Sequence, residues 1–452
     1  MRNTPLSNAG RWMLDRRHFL AHGGTGLAGV ALTALLAQER SATAAPPAWK
    51  IPAKAKRVLV IFCSGAVSHV DSFDYKPELI RRAGQPLPGK DKLVTFQGEN
   101  GNLTAPLWTF KPRGKSGKMI SDLFPKVADL ADDLTFIHSM TAKSNTHGPA
   151  ENQMSTGYTL DGFPSMGAWV SYALGASNAD LPAFVAIPDP RGVPQTGPNN
   201  WGSGFLPASA QGTAFTADKP IPHLLRPSAI PADSDAASRD LLKMLNERHL
   251  ARHPGDTDLM GRIASYELAA RMQLKAVEVG DLSKETREVH QLYGTNDPNP
   301  TKAGFARNCL LARRLLERDV RFVQLFNGSY AMGEGVGNWD GHKTLAKQYA
   351  IHREIFDQPC AALIRDLKRT GLLKDTVVAW VTEFGRMPTF QKGASGRDHN
   401  PHGFTVWLTG AGVKPGISHG ATDEFGHKAI EDECTIYDLH ATLPSVLYFQ
   451  LL

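Results

Sequence analysis

The stretch 376-TVVAWVT-382 is a short run of apolar and β-branched residues that ends directly before Glu383. Runs of this length and composition are typical of strands that are buried on both faces of a parallel sheet. Similar runs occur at 57-RVLVIFC-63, 133-DLTFIHS-139, 183-AFVAI-187, 319-DVRFVQLF-326 and 403-GFTVWLT-409. The sequence therefore predicts six buried parallel strands.

Helical patterns separate most of these runs, at 119–133, 257–278, 303–318 and 343–371. Alternating strands and helices are typical of a doubly wound α/β domain. We predict such a domain over residues 57–452, with a mostly parallel sheet flanked by helices. The section from about 190 to 300 begins rich in Gly, Pro and Asn and continues with long charged helices, which we interpret as an insertion or cap.

Ligands of open α/β sheets bind at the carboxyl ends of the strands. The residues that follow the apolar runs, or that precede the last one, are rich in histidine and acids. Eight of them are predicted metal ligands: His69, Asp71, Asp340, His342, Glu383, Asp398, His399 and His402. A mixed set of imidazoles and carboxylates favours a divalent ion, zinc first, with manganese or calcium as alternatives if oxygen ligands dominate.

Four further residues are candidates for the chemistry itself. Thr146 and His147 follow the second run, and Pro149 can open a short helix whose N-terminus favours an anion beside them. Arg386 and Arg397 carry guanidinium groups that bind oxyanions through two N–H bonds, although a structural salt bridge is an equal alternative for both.

The first 45 residues have the features of an export signal. Arg16 and Arg17 precede a Gly-, Ala- and Leu-rich segment, and small residues at its end predict cleavage near Ala44 or Ala45. This predicts the twin-arginine translocase as a partner and a periplasmic or extracellular location. A membrane anchor is the alternative, but the apolar run is shorter than the ~20 residues of a span. Residues 46–56 are interpreted as a linker.

Charge and composition exclude several classes of protein. The formal net charge is +6, and the predicted signal contributes five Arg against one Asp and one Glu. After the signal no basic patch is interleaved with aromatic residues, so nucleic acid is not an expected partner. No other stretch is long and apolar enough to be a transmembrane segment. The four cysteines show no paired spacing and are expected to be buried thiols.

Several long segments resemble a known family. They include 259-LMGRIASYELAARMQ-273, 307-RNCLLARRLLERDVRFVQLF-326, 371-GLLKDTVVAWVTEFGRMP-388 and 396-GRDHNPHGFTVWLTGAGVKPG-416. These resemble the exported, sulfatase-like bacterial proteins of domain-of-unknown-function family 1501 (DUF1501). The resemblance covers nearly all of the chain after the signal and implies an alkaline phosphatase-like α/β fold.

The wider sulfatase and alkaline phosphatase superfamily implies roles for individual residues. The run 147-HGPAENQMSTG-157 is similar to the sulfatase run that begins at the modified cysteine, so His147 stands at the nucleophile position. Glu383 stands at an acidic ligand position, but Phe384 replaces the ligand expected after it. Asp340 and His342 resemble the Asp…His metal pair of the phosphatase and mutase branches.

Other segments agree with the resemblance in one place and depart from it in two. The segment 399-HNPHGFTVWLTG-410 is similar to a histidine-bearing loop, which favours His399 as a ligand over His402. Ser64 and Gly65 replace the usual Asp-Asp pair after the first strand, so the resemblance implies a rearranged metal shell. Family members usually continue with another strand after 437-YDLHATL-443, whereas this sequence stops soon after it, which leaves a truncation and a partial fold as open alternatives.

Two functional hypotheses follow. The first is an exported, metal-dependent hydrolase of sulfate or phosphate esters, acting on a small molecule or a polysaccharide, in which a metal-activated water, Thr146 or His147 is the nucleophile. The second is a non-catalytic binding or structural protein of the cell envelope that keeps a degenerate hydrolase fold. The replaced nucleophile favours the second hypothesis, and the many histidines and acids at strand ends favour the first.

Overall fold

A computed structural model describes residues 54–89, 96, 98–218, 226–330 and 337–447. The predicted export signal and residues 46–53 of the predicted linker lie outside the described residues. The last linker residues already belong to the fold, since the backbone N–H of Ala55 donates to the carbonyl of Val446 at 2.7 Å.

The first predicted strand is present as Arg57–Cys63, and every one of its residues is buried. The strands in chain order are β1 (Arg57–Cys63), β2 (Asn100–Leu103), β3 (Phe110–Arg113), β4 (Lys118–Ser121), β5 (Thr135–Thr141), β6 (Phe184–Ile187), β7 (Thr213–Ala214), β8 (Phe322–Asn327), β9 (Thr376–Val381), β10 (Gly385–Gln391), β11 (Arg397–Asn400), β12 (Phe404–Gly410), β13 (Ser418–His419), β14 (Ala421–Thr422), β15 (Ala429–Glu431) and β16 (Cys434–Thr435).

The central sheet has the strand order β13-β5-β12-β9-β1-β8-β6-β7, with β16 paired to β5. β1 runs parallel to both neighbours, and Phe62 lies opposite Phe326 and Val381. β6 runs parallel to β8 and β7. The predicted mostly parallel α/β sheet is therefore confirmed, and the first strand of the chain lies between strands that come late in the sequence.

One predicted strand direction is wrong, because β12 runs antiparallel to both β9 and β5. A parallel return would need a crossover of a dozen or more residues, usually a helix. Instead the chain leaves β9, forms the antiparallel pair β10 and β11, and enters β12 from the same edge. The segment 396–402 therefore lies at the edge where β1, β8 and β9 end.

The helices are α1 (His69–Ser72), α2 (Pro77–Arg81), α3 (Pro125–Ala128), α4 (His147–Thr156), α5 (Met166–Leu174), α6 (Ala232–Arg252), α7 (Thr257–Gly280), α8 (Arg287–Tyr293), α9 (Pro300–Glu317), α10 (Leu345–Arg369) and α11 (Ile436–Ser445). Short 3-10 turns lie at Ala131–Asp133, Gly197–Trp201, Ala208–Ala210, Leu282–Lys284 and Leu372–Lys374.

Helices cover both faces of the central sheet. Alternate residues of β1 point to opposite faces of the sheet, and the two sets pack against different helices. Leu59 and Ile61 belong to the apolar core formed with α9 and α10. Val60 and Phe62 belong to a second apolar core formed with α5 and α11. This arrangement buries the sheet and leaves the ends of its strands as the accessible edge.

The region predicted to be an insertion or cap contains the 3-10 turns near 200, β7, and the long helices α6 and α7. None of the 21 residues of α6 is buried. Among the described residues, no helix combines the length and apolarity that crossing a membrane requires. The four cysteines form no disulfide, and three of them are buried.

Candidate metal centre

Four side chains from three distant segments meet at the carboxyl edge of the sheet. His147 begins α4, Asp340 and His342 follow β8, and His399 lies on β11. One ligand atom of each side chain lies within 4.8 Å of the ligand atoms of the other three. All four are candidate site residues of the sequence analysis, where Asp340, His342 and His399 are predicted metal ligands and His147 is a predicted catalytic residue.

The turn after β1 makes this convergence possible. Gly65 has a φ of 101°, and a Cβ atom there would lie 2.5 Å from the backbone nitrogen of Trp339 and 2.6 Å from that of Asp340. Only glycine allows the two backbones to approach so closely. The buried Trp339 then fixes the loop by donating its indole N–H to Asn327 Oδ1 at 2.9 Å.

Hydrogen bonds orient two of the imidazole rings. His399 Nδ1 donates to the carbonyl of Asn145 at 2.5 Å, and His342 Nδ1 lies 3.0 Å from Gln391 Oε1. Both rings therefore present Nε2 to the centre of the cluster, where Asp340 Oδ1 lies 2.9 Å from His342 Nε2 and 3.4 Å from His399 Nε2. Metal-binding histidines in proteins are usually held in this way through their second nitrogen.

His147 is held from behind by a buried carboxylate. Its Nδ1 lies 2.7 Å from Oε1 of Glu383, which is fully buried and also accepts the backbone N–H of Gly65 at 2.8 Å. His147 Nε2 lies 3.3 Å from Asp340 Oδ1, and this buried atom has no hydrogen-bond partner among the described residues. A buried nitrogen without a partner, pointing toward other ligand atoms, fits a metal ligand.

The local charges give the cluster a defined protonation pattern. Burial lowers the pKa of His147, but contacts with Asp340 and Glu383 outweigh burial and raise the pKa to about 9. Burial raises the pKa of Asp340, but the charge of Arg386 and the close imidazoles of His147, His342 and His399 lower it far below its ordinary value. Burial and the charge of Arg386 lower the pKa of His399. Asp340 is thus anionic and His399 neutral, as ligands must be, whereas His147 holds a proton at neutral pH that a bound cation would have to displace.

Three nitrogens and one carboxylate oxygen form a donor set that fits a divalent ion. Zinc in proteins binds imidazole and carboxylate ligands at about 2.0–2.2 Å, so the ligand atoms of one ion lie only a few ångströms apart. The separations within the cluster are of this order. The cluster can therefore bind a metal ion.

The two predicted arginines are both fully buried and paired with acids. Arg386 Nη2 lies 2.6 Å from Asp340 Oδ1, and its other N–H groups donate to the carbonyls of Gly65, Ala66 and Arg397. Arg397 Nε lies 2.7 Å from Asp71 Oδ2. The structure therefore places Arg386 directly behind the cluster and uses Arg397 to hold Asp71, while an oxyanion contact stays a prediction for both.

The other predicted ligands lie outside the group of four. His69 Nε2 lies 2.6 Å from the carbonyl of Gly426. Asp398 accepts the backbone N–H groups of Phe96 and His399, both at 2.9 Å. The exposed His402 lies beside His427, with their ring centroids 6.0 Å apart. The metal roles predicted for these residues stay predictions.

Thr146 is the N-cap of α4 and has an extended backbone. Its side chain accepts no capping hydrogen bond from the described residues of the helix. Its neighbour His147 belongs to the cluster, so the Thr146 hydroxyl lies one residue from a candidate ligand at the positive end of a ten-residue helix. This position suits an anion.

Three residues of the site were missed by sequence reasoning. Gln391 contacts His342, and the ring of Phe96 stacks on that of His399 with centroids 4.3 Å apart. Glu151 accepts the hydroxyl of Ser64, and burial together with the charge of Glu383 raises its pKa to about 7. None of these residues is adjacent to a central strand in the sequence, so a search of the strand ends, which selects the four residues of the cluster, does not select them.

Comparisons with solved structures give weak similarities. The lipoteichoic acid synthase LtaP from Listeria monocytogenes is 10% identical, with 92% of this chain and 78% of that chain covered and a TM-score of 0.36. A mutant of TAB5 alkaline phosphatase with bound Mg is 9% identical, with coverages of 81% and 95% and a TM-score of 0.34. The PsFucS1 sulfatase from Pseudoalteromonas sp. is 12% identical, with coverages of 94% and 74% and a TM-score of 0.31. Similarity at this level says nothing about the reaction.

A comparison with curated proteins finds no match. The profile of one family, described as a protein of unknown function, matches residues 55–449 and so covers the whole described domain apart from Lys54. The segments that resembled this family in sequence lie within the match. The chain belongs to the DUF1501 family.

Proposed function

We propose that this protein is an exported, metal-dependent hydrolase of sulfate or phosphate esters. The observation that carries the proposal is the group His147, Asp340, His342 and His399, whose ligand atoms lie within 4.8 Å of one another. Ester hydrolysis is a reaction for which a protein-bound divalent cation is well suited. A protein with a purely structural role has no need of three imidazoles and a carboxylate that meet at one edge of the sheet.

Zinc is the metal that the donor set favours. Three of the four ligand atoms are imidazole nitrogens, which zinc accepts readily. Calcium prefers six to eight oxygen ligands, and this cluster offers a single carboxylate. Manganese is the second choice. It ranks below zinc because manganese sites usually contain more oxygen ligands than this cluster offers.

The residues around the cluster supply binding and orientation. A divalent cation held there would supply Lewis acidity toward an ester oxygen. Arg386 keeps Asp340 ionised, and Glu383 fixes the ring of His147 so that its Nε2 points to the cluster. The N-terminus of α4 favours a negative group beside Thr146. An ester anion would thus be attracted to the same place as the cation.

The substrate class rests on chemistry and on sequence resemblance. An anion-favouring helix end next to a cation site suits a sulfate or phosphate group. The similarity of 147-HGPAENQMSTG-157 to the sulfatase nucleophile run supports sulfate esters, including those of polysaccharides. The twin-arginine pattern at Arg16 and Arg17 supports export to the periplasm or the cell exterior.

A non-catalytic envelope protein is the second candidate, and a specific observation favours it. Phe384 stands where a second metal ligand is expected, and its ring packs against those of His147 and His399, with centroids 5.0 Å and 4.7 Å apart. Because the ring of Phe384 is apolar, it cannot bind a metal ion on this side of the cluster. The cluster then offers ligands for one ion, whereas two-metal hydrolases bind two. In this second candidate the cation has a structural or binding role.

Metal analysis combined with ester assays tests the proposal. The purified protein should contain a divalent metal and hydrolyse an aryl sulfate, a phosphate monoester or a phosphate diester. A chelator should abolish the activity and zinc or manganese should restore it. His342→Ala should abolish activity, while His419→Ala, which changes an exposed histidine, should not. A folded, metal-loaded protein that is inactive on all these esters would favour the envelope protein instead.

A further inference from the structure

Helix α6 is unusual because it is long and contributes no buried side chain to the apolar core. It spans 21 residues, and none of them is buried. Helices in folded proteins gain most of their stability by packing an apolar face against another element. Four residues of α6 are half-buried, namely Asp235, Arg239, Asn246 and Leu250, and the rest of the helix is exposed and accessible to another molecule.

The middle of α6 carries an apolar patch formed by Leu241, Leu242, Met244 and Leu245. Between 40% and 52% of each of these side chains is exposed. Leu241 lies three residues before Met244 and four before Leu245, so these three share one side of the helix. Because the helix runs from 232 to 252, this patch lies at its midpoint.

The charges of α6 are divided between its two halves. Residues 232–241 contain three aspartates and one arginine. Residues 242–252 contain three basic side chains, Lys243, Arg248 and Arg252, and one acidic residue, Glu247. The helix is therefore acidic before the apolar patch and basic after it.

We propose that α6 is a dimerisation helix that pairs with α6 of a second copy of this chain in antiparallel orientation. A two-fold axis at the apolar patch places the patch of one copy on the same patch of the other. The same axis places the acidic half of each helix beside the basic half of its partner. A parallel pair would instead place like charges together, which is unfavourable. The sequence of this helix is thus complementary to itself in one orientation.

The oligomeric state of the full chain tests the apolar part of the proposal. Light scattering coupled to size-exclusion chromatography should show a dimer, and the double variant Leu241→Lys/Leu245→Lys should be monomeric. Leu160→Lys is the control, because Leu160 is 70% exposed and lies outside α6. A monomeric wild-type protein, or a double variant that still forms dimers, would overturn the proposal. Circular dichroism of each variant checks that α6 still folds.

Charge reversal tests the orientation and does not depend on removing apolar residues. Asp233→Lys/Asp235→Lys makes both halves basic, and Arg248→Glu/Arg252→Glu makes both halves acidic. Each variant alone should dissociate at low salt, and an equimolar mixture of the two should form heterodimers. Homodimers of either variant that are as stable as those of the wild type would rule out the antiparallel pair. Failure of the mixture to associate would rule it out as well.

Discussion

The Nε2 atoms of His342 and His399 lie 2.9 Å apart, while each ring directs its Nδ1 to an oxygen outside the cluster. Two nitrogen lone pairs at that distance repel each other unless a proton or a metal ion lies between them. The fixed rings cannot turn away without breaking the Nδ1 hydrogen bonds. This pair of histidines is therefore held ready for a cation.

Removing one of these rings should remove the metal. We expect His342→Ala to lower the affinity for zinc by at least about 100-fold, since a ligand should matter more than the groups that orient it. Titration with a chromophoric chelator measures the affinity. His419→Ala is the matched control, because His419 is exposed and lies outside the group of four. Equal losses in both variants would contradict the assignment of the cluster.

The orienting contact of Gln391 should have a smaller effect. We expect Gln391→Ala to weaken zinc binding by about 10–100-fold, because His342 loses the group that fixes its ring. The free energy of unfolding of the chelated protein should change little by comparison. If zinc affinity is unchanged in the same titration, the contact between Gln391 Oε1 and His342 Nδ1 does not orient the ligand.

The buried ion pair of Arg386 and Asp340 should be important for stability. Arg386→Gln leaves the Asp340 carboxylate without its cationic partner in a buried position, which should lower the free energy of unfolding by about 3–5 kcal/mol. Urea denaturation in the presence of a chelator measures this. Arg365→Gln, which removes the exposed pair with Asp129, is the control and should have little effect. A loss of the same size in both variants would contradict the role of Arg386.

Gly65 should be irreplaceable for a reason beyond its backbone angle. Gly65→Ala and Gly84→Ala both place a side chain at a positive φ, which costs about 1–3 kcal/mol. Only Gly65→Ala also drives a Cβ atom into the backbone of Trp339 and Asp340, since no atom lies within 4 Å of the equivalent position at Gly84. We expect Gly65→Ala to lose more stability and to weaken zinc binding. Equal effects of the two substitutions on both measurements would contradict this.

Glu151 should make stability depend on pH. Its carboxyl is buried, and its pKa is about 7 in the folded protein against an ordinary value near 4.5. Between these values the folded protein holds a proton that the unfolded chain releases, so the free energy of unfolding should fall as the pH rises from 4.5 to 7. Glu151→Gln, which mimics the protonated acid, should show a shallower fall. Denaturation curves of both proteins at several pH values measure the difference, and parallel pH profiles would contradict it.

The sequence predicts the central sheet, and the meeting of Asp340, His342 and His399 at its edge, better than it predicts the contacts around these residues. The three residues lie close together because residues at strand ends share one edge whatever the details of the packing. His69 and Asp71 were included by the same rule, but the chain changes direction after β1, where Gly65 and Ala66 both have positive φ. A positive φ at alanine has no sequence signature, so the position of α1 could not be predicted.

Other features depend on contacts between segments that are far apart in the chain. Gln391 and Phe96 reach the cluster from outside the central sheet, and no local pattern marks either of them. The direction of β12 was also missed, because a buried strand has the same apolar composition in either direction. In this case the error did not affect the site, since the reversed strand brings 396–402 to the predicted edge.

The late position of β11 and β12 in the chain also determines when the four residues of the cluster can meet. The segment that carries His399 is made after β1, β8 and β9, so three of the four residues of the cluster leave the ribosome before the last one. β12 then inserts between β5 and β9, and the sheet is incomplete until it does. A nascent chain therefore carries His147 alone for a long time, and it carries three of the four residues only after His342 is added, when about three quarters of the chain has been made. The fourth residue arrives with β11, and β12 then closes the gap between β5 and β9.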